Sequence, residues 1–356
     1  MAAVTTMRPH PVRGPRSGEG AHIAALWREL WDVHESWGSY AGSKDDEAYA
    51  DVAARIEVES RSRGGGIVLG RHLHLVAVQG AEPLGQVEGW LDRFGERAST
   101  PWTCEVRSLV VAARARGTGL GRALLETLAA AAVATLRAPT FLVAEVLAPN
   151  PAYAFYASLG YAPISWVARV DDLARARSAY AARRGHPIVA RPARPDDAYA
   201  LAVLDGVLAA RRRALGDLRF DPPSAIDATL IAALAARLDG AWAFGHMPLD
   251  IVVTDESGVI RASASLFVSL LEPPFIPVRR AILTRLSFDS AADPGPLMLA
   301  LVPFAAQVAT SWGAKTMEVS DLSAPGTDLH DAAIEAGARP WSTIVAKRCE
   351  PAAASR

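Results

Sequence analysis

Arg114-Ala-Arg-Gly-Thr-Gly-Leu-Gly121 stands between an apolar stretch, Val106 to Val111, and an alanine-rich stretch running from Arg122 to Leu136. The spacing predicts a strand, a glycine turn and a helix in that order. Such a turn leaves backbone N–H groups unpaired at the start of a helix whose dipole adds partial positive charge, so it suits a phosphate or pyrophosphate. Gly117, Gly119 and Gly121 remove side chains that would block close approach. A plain tight turn is the bland alternative; three alternating glycines in this setting favour the anion cradle.

Working outward, Ala21 to Trp37 places Ile23, Leu26, Trp27, Leu30, Trp31 and His34 on one helix face, and Asp45 to Ser60 reads as a second helix. His72 to Val78 and Pro83 to Trp90 read as a hairpin, and Cys104 to Val111 as the strand entering the turn. Beyond the first long helix come a strand, Phe141 to Leu147, then Pro149-Asn-Pro151, a helix from Tyr153 to Leu159 stopped by Gly160, and Trp166 to Val170 as a strand closing the unit. Asp171 to Gly185 shows no clear apolar face and reads as a helical connection.

A second start follows at Ile188, with a helix from Asp196 to Leu208 and a hairpin from Asp250–Thr254 and Ile260–Val268. Then come a strand Ala281–Phe288, a helix Leu297–Trp312, a strand Lys315–Val319 and a helix Leu329–Gly337. This order repeats that of the first half, the mark of an internal duplication. Leu109 precedes Leu286 by 177 residues, and Gly160 precedes Gly337 by the same 177.

The 356 residues favour two domains: 1–170, a linker at 171–186, and 187–356. Lys plus Arg (37) balance Asp plus Glu (38), so no global field argues for nucleic acid or an acidic membrane surface. Cys104 and Cys349 are too few for a disulfide framework, and with no secretory pattern in Met1 to Gly20 the expected compartment is the cytoplasm. The longest apolar run, Ala129 to Leu136, is too short to span a bilayer.

Arg114-x-x-Gly117-x-Gly119, preceded by Glu105-Val-Arg-Ser-Leu-Val-Val111 and followed by Asn150 and Phe155-Tyr156-x-x-Leu-Gly-Tyr161, resembles the GNAT superfamily of acetyl-CoA-dependent N-acyltransferases. The resemblance is clear over Val106 to Tyr161 and looser from Arg8 to Pro101, and the second half shares element order alone. The tandem layout is similar to that of the mycothiol synthases, with no motif that specifies their substrate.

The resemblance implies an α/β protein of two GNAT-like domains, each a bent mixed β-sheet flanked by helices, with acetyl-CoA as co-substrate and no metal. The backbone at Leu109, Val110 and Val111 would run beside the pantetheine arm. Arg116, Gly117, Thr118, Gly119, Leu120, Gly121 and Arg122 would wrap the pyrophosphate. Asn150 and Tyr153 would stand beside the cofactor. Tyr156 matches the family tyrosine that protonates the leaving thiolate, and Glu105 lies where many members carry a general base, with Glu88, Glu145 or a water chain as alternatives. The acceptor would be a primary amine of a small molecule or peptide, acylated by direct transfer. A non-catalytic acyl-CoA-binding or partner-binding module is the alternative, which needs the cradle but neither proton-transfer group.

Other chemistry-bearing residues have simpler readings. His72 and His74 share a strand face without supporting metal ligands at a suitable spacing and read as structural. Trp27, Trp31, Trp37 and Tyr40 read mostly as core, Cys104 as a buried small residue, and Arg211-Arg-Arg213 as a solvated helix face. With the offset of 177 residues, Gly117, Gly119 and Gly121 fall opposite Pro294, Pro296 and Met298, Glu105 opposite Ile282, and Tyr156 opposite Ala333. The second domain is therefore expected neither to catalyse nor to bind CoA, and to serve as an intrachain pseudo-dimer partner that walls the acceptor pocket.

Overall fold

The structure is a computed structural model that describes residues 11–38, 46–93, 101–182, 185–220, 225–244, 248–270 and 279–351. In the first half β1 (Val12–Arg13), α1 (Gly20–Ser36), α2 (Asp46–Arg63), β2 (Val68–Leu69), β3 (His72–Gln79), β4 (Glu82–Arg93) and β5 (Trp102–Val111) lead to α3 (Leu120–Leu136). Then follow β6 (Thr140–Leu147), α4 (Ala152–Ser158), β7 (Ala162–Val170) and α5 (Leu173–Ala182). The second half comprises β8 (Val189–Pro192), α6 (Ala198–Ala214), α7 (Ala228–Phe244), β9 (Leu249–Thr254), β10 (Ile260–Leu270), β11 (Arg279–Phe288), α8 (Pro294–Ser311), β12 (Thr316–Leu322), α9 (Asp328–Glu335) and β13 (Arg339–Cys349). Sequence reasoning passed over α7 and β13. Tyr40 lies outside the described residues.

The thirteen strands among the described residues form one mixed sheet, ordered β1-β3-β4-β5-β6-β13-β7-β12-β11-β10-β9-β8, with β2 beside β3. Its centre departs from the expectation that Trp166 to Val170 closes the first unit. β7 pairs with β12 of the second half, while β13, the last strand of the chain, pairs with β6 of the first. β7 and β13 also pair with each other, which joins the halves. The final strands have exchanged places, so Val345 is buried in the first core and Ala168 and Val170 in the second. The segment after β7 is also more than a tether: α5 buries Leu173 and Ala176 in the second core, an apolar pair that alanine-rich surroundings hide from periodicity analysis.

The duplication extends to backbone detail. Ser108 and Arg285 both adopt positive φ (52° and 56°), as do Gly160 and Gly337 (83° and 97°), each pair at the 177-residue offset. The β4–β5 ladder slips between Gln86 and Glu88, and the β10–β11 ladder between Ser263 and Ser265 at the same offset. A bulge bends its strand and ends regular pairing. Accordingly the parallel ladder of β5 with β6 stops at Val106–Ala144, and that of β11 with β12 at Leu283–Val319. Beyond each bulge the sheet splays. In the first half, α3 covers one face over Leu73, Leu75, Val87 and Leu142, while α1 and α2 cover Val76 and Val78 on the other. Among the described residues no helix is long and apolar enough to cross a membrane.

Candidate active site

The glycine turn opens α3 as the spacing requires. Gly117 and Gly119 take φ of 79° and 87°, the left-handed region that glycine enters without steric cost. Gly121 is needed for a different reason: a Cβ there would stand 3.2 Å from Cζ of Phe155, so it lets α3 approach α4. No side chain caps the N-terminus of α3 at Gly119, which leaves its first N–H groups and the positive end of the dipole for a ligand. Thr118 closes the turn on itself, donating to the Ala115 carbonyl at 2.7 Å.

This turn forms one end of a cavity of about 570 Å³. Leu109, Val110 and Val111 on the splayed end of β5 line it, with Arg116, Gly117, Gly119, Leu120, Gly121, Arg122 and Asn150. Sequence reasoning thus identified most of this lining. It missed the wall made by Leu30, Val33 and His34 of α1 and by Trp37 just beyond it, where the sequence shows only a helix face and core aromatics. Trp27, one turn earlier, is buried core as expected. Burial pushes His34 down to about 4, so the imidazole facing this cavity is neutral.

The charges at the turn are partly spoken for. Arg116 donates through Nε to the Val111 carbonyl (3.1 Å) and through Nη2 to Glu29 of α1 (2.7 Å), and Glu29 also accepts from the Ala113 N–H. Arg122 lies 3.6 Å from Glu126, and Arg114 pairs with Glu82. The Asn150 side-chain oxygen accepts from the Ala152 N–H at 2.9 Å, which leaves its NH2 as the donor available to the cavity.

Four candidates lie off the cavity lining, one of them Thr118, whose hydroxyl is turned into the glycine turn. Phe155, not Tyr156, faces the cavity; Tyr156 is buried between Phe155 and Tyr161, with ring centroids at 5.6 and 5.2 Å. Burial raises its hydroxyl above the ordinary phenol range, which keeps it a neutral donor. Tyr153 is exposed. Glu105 is exposed on β5 and accepts from Arg107 at 2.8 Å. Two positions farther along the neighbouring strand, Glu145 accepts from the Ser342 hydroxyl of β13 at 2.6 Å. Glu145 is exposed, with protein packed around its carboxyl, and desolvation followed by repulsion from Glu318 raises that carboxyl above the ordinary carboxylate range. Ser342 and Glu318 were invisible as site residues in the sequence, because only the strand exchange brings them here.

His72 stacks on Trp90 at 4.4 Å and lies 2.7 Å from Arg63, and His74 bonds Gln86 at 2.9 Å, both within the α2-covered face. Among the described residues there is no group of three or more His, Cys, Asp or Glu able to hold a metal. Cys104 is buried, its thiol pushed up to about 12 by desolvation, and so inert.

The second splay is filled from within. Arg211 occupies the position of His34, 177 residues on, and donates to the Leu286 carbonyl and, at 3.1 Å, to the Asp321 carbonyl. Arg212 is fully buried against Asp217, with Asp321 at 3.7 Å. Asp321 in turn accepts from the Thr284 hydroxyl (2.7 Å) and the Arg285 N–H (2.6 Å). Arg211 and Arg212 are therefore not on the solvated face that their charge suggested, since buried carboxylates on β12 and the α6–α7 connection compensate them; Arg213 is exposed as expected. At the start of α8, Pro294 and Pro296 carry no N–H, and Asp293 caps Gly295 at 2.9 Å, placing a carboxylate where the first half offers bare amides.

Residues 25–161 match the model of the acetyltransferase (GNAT) family. No curated protein matches the chain. Among solved structures, a GCN5-related N-acetyltransferase from Sphaerobacter thermophilus is similar over 96% of this chain and 96% of its own, at 14% identity and a TM-score of 0.53. A tandem GNAT protein from the clavulanic acid biosynthesis pathway aligns over 97% of this chain and 100% of its own, at 15% identity and a TM-score of 0.44. The glycine turn, the splayed β5 and the matched segment coincide: residues 25–161 match the acetyltransferase (GNAT) family model, within a chain whose fold along its length is similar to that of a GCN5-related N-acetyltransferase.

Proposed function

We propose that the chain is an N-acetyltransferase that moves the acetyl group of acetyl-CoA to a primary amine of a small molecule or peptide by direct transfer. The observation that carries this reading is a cavity in which an uncapped helix N-terminus, two left-handed glycines and an unpaired strand edge meet. These residues suit acetyl-CoA: bare N–H groups for a diphosphate, an apolar slot for an extended amide arm, and a volume within the usual range of small-molecule sites. Bound there, the co-substrate supplies an activated acyl thioester.

The protein's own groups hold and orient. The N–H groups from Gly117 to Arg122 take the diphosphate, the β5 edge at Leu109 to Val111 takes the arm as an added strand would, and the Asn150 NH2 donates beside it. Tyr156, a phenol held neutral one residue from the cavity wall, is the proposed proton donor to the leaving sulfur. Glu105 and Glu145 stand on the same face of the sheet as candidates for accepting the amine's proton. The second half takes no cofactor in this reading, because Arg211 already occupies its splay. Calorimetric titration with acetyl-CoA, followed by release of free thiol on adding primary amines, tests the proposal; binding without amine-stimulated release would favour a non-catalytic acyl-CoA-binding module.

A further inference from the structure

Glu145 sits one residue past Ala144, the last β6 residue paired to β5, and so at the lip of the splay. Groups from four strands face it: Glu105 on β5, Arg280 on β11, Glu318 on β12 and the Ser342 hydroxyl on β13. Arg280 is tied to Glu318 at 2.9 Å, Arg169 of β7 lies near Glu318, and Arg107 is tied to Glu105. Glu105 therefore already has a cationic partner in the open, while Glu145 is held by a neutral hydroxyl and faces a second carboxylate.

We infer that Glu145 is the group that takes the acceptor's proton, and that the second half completes this site by positioning it with Ser342 and crowding it with Glu318. The inference rests on the acyltransferase reading. The Glu145 carboxylate removes one proton from the acceptor ammonium, whose nitrogen lone pair then forms the C–N bond. The C–S bond breaks with its electron pair going to sulfur, Tyr156 gives its proton to that sulfur and is reprotonated by the second amine proton, and Glu145 returns its proton to solvent. Ser342 is a positioning residue, acting through Glu145.

The test uses the full chain labelled with ¹³C at the glutamate carboxyl carbons, together with acetyl-CoA cleavage measured against pH with phenethylamine and with water as acceptors. A carboxyl resonance titrating above the ordinary glutamate range should vanish in Glu145→Gln. Ser342→Ala, which removes a hydrogen bond to the charged form, should move that midpoint and the rate limb to higher pH by about one unit. Glu318→Gln, which removes the like charge, should move both to lower pH. Glu145→Gln should cut cleavage by roughly a hundredfold or more while acetyl-CoA affinity stays within about twofold. Wild-type rates in Glu145→Gln, or a rate limb that ignores the resonance, would overturn this inference alone. A wild-type chain that neither binds nor cleaves acetyl-CoA would overturn it together with the acyltransferase reading.

Discussion

The Ser342 hydroxyl bonds Glu145 across 197 residues of chain, and that contact exists only because β13 lies between β6 and β7. Each half lends the other its last strand, so neither core is closed by its own sequence. The full chain should unfold in a single calorimetric transition, with van't Hoff and calorimetric enthalpies equal. Two separate transitions would mean the exchanged strands do not couple the halves. Val345→Ala, at a site buried in the first core but encoded near the C-terminus, should cost about 1–3 kcal/mol and lower that one midpoint.

Acetyl-CoA should bind with one site per chain. Gly119→Glu forces a side chain into a φ of 87° and sets negative charge at the start of α3, so it should weaken binding by at least about tenfold. Binding that survives this substitution at full strength would place a second site elsewhere in the chain.

Tyr156→Phe keeps the buried ring and its contacts with Phe155 and Tyr161 while deleting the hydroxyl. Turnover should fall by roughly a hundredfold with acetyl-CoA affinity unchanged. A variant at full rate would remove Tyr156 from the chemistry and leave it as core.

The ionic plug in the second half should behave as structure. Asp321→Ala removes a carboxylate from Arg212, Thr284 and Arg285, and puts alanine at a φ of 63°. The expected loss is about 3–5 kcal/mol by denaturant titration. Asp321→Asn keeps an acceptor and a residue that tolerates this backbone, and should lose less. Equal losses would show that the charge contributes nothing.

What the sequence made legible follows from the range of each interaction. The glycine turn, the strand before it and the helix after it are local, so spacing revealed them, and the cavity walls at Leu109–Val111 and Arg116–Arg122 came with them. The offset between the halves was readable for the same reason and recurs in the paired bulges at Ser108 and Arg285. Strand exchange is a choice between two chemically similar partners for β6, and nothing in Arg339 to Cys349 announces which one wins. Residues whose role depends on it, Ser342 and Glu318, were illegible, as was the tethering of Arg211, whose acceptors are the carbonyls of Leu286 and Asp321 on distant strands.

His34 gives the remaining prediction a definite sign. Its imidazole packs against Trp31 and Trp37 at 5.0 and 5.4 Å, and burial lowers its proton affinity to about 4 from the free value of 6.5. Between these values the unfolded chain binds a proton there that the folded chain does not, so stability rises with pH across that window and is lost as pH falls through it. The contribution is about 1–3 kcal/mol once partial solvent access is allowed for. His74, buried and also shifted down, titrates in the same sense, so the measurement must be a difference. Subtracting the pH profile of His34→Phe from that of the wild type in urea unfolding should leave a positive slope from pH 4 to about 6.5. A flat difference would mean that His34 is hydrated in the cavity and keeps its ordinary proton affinity.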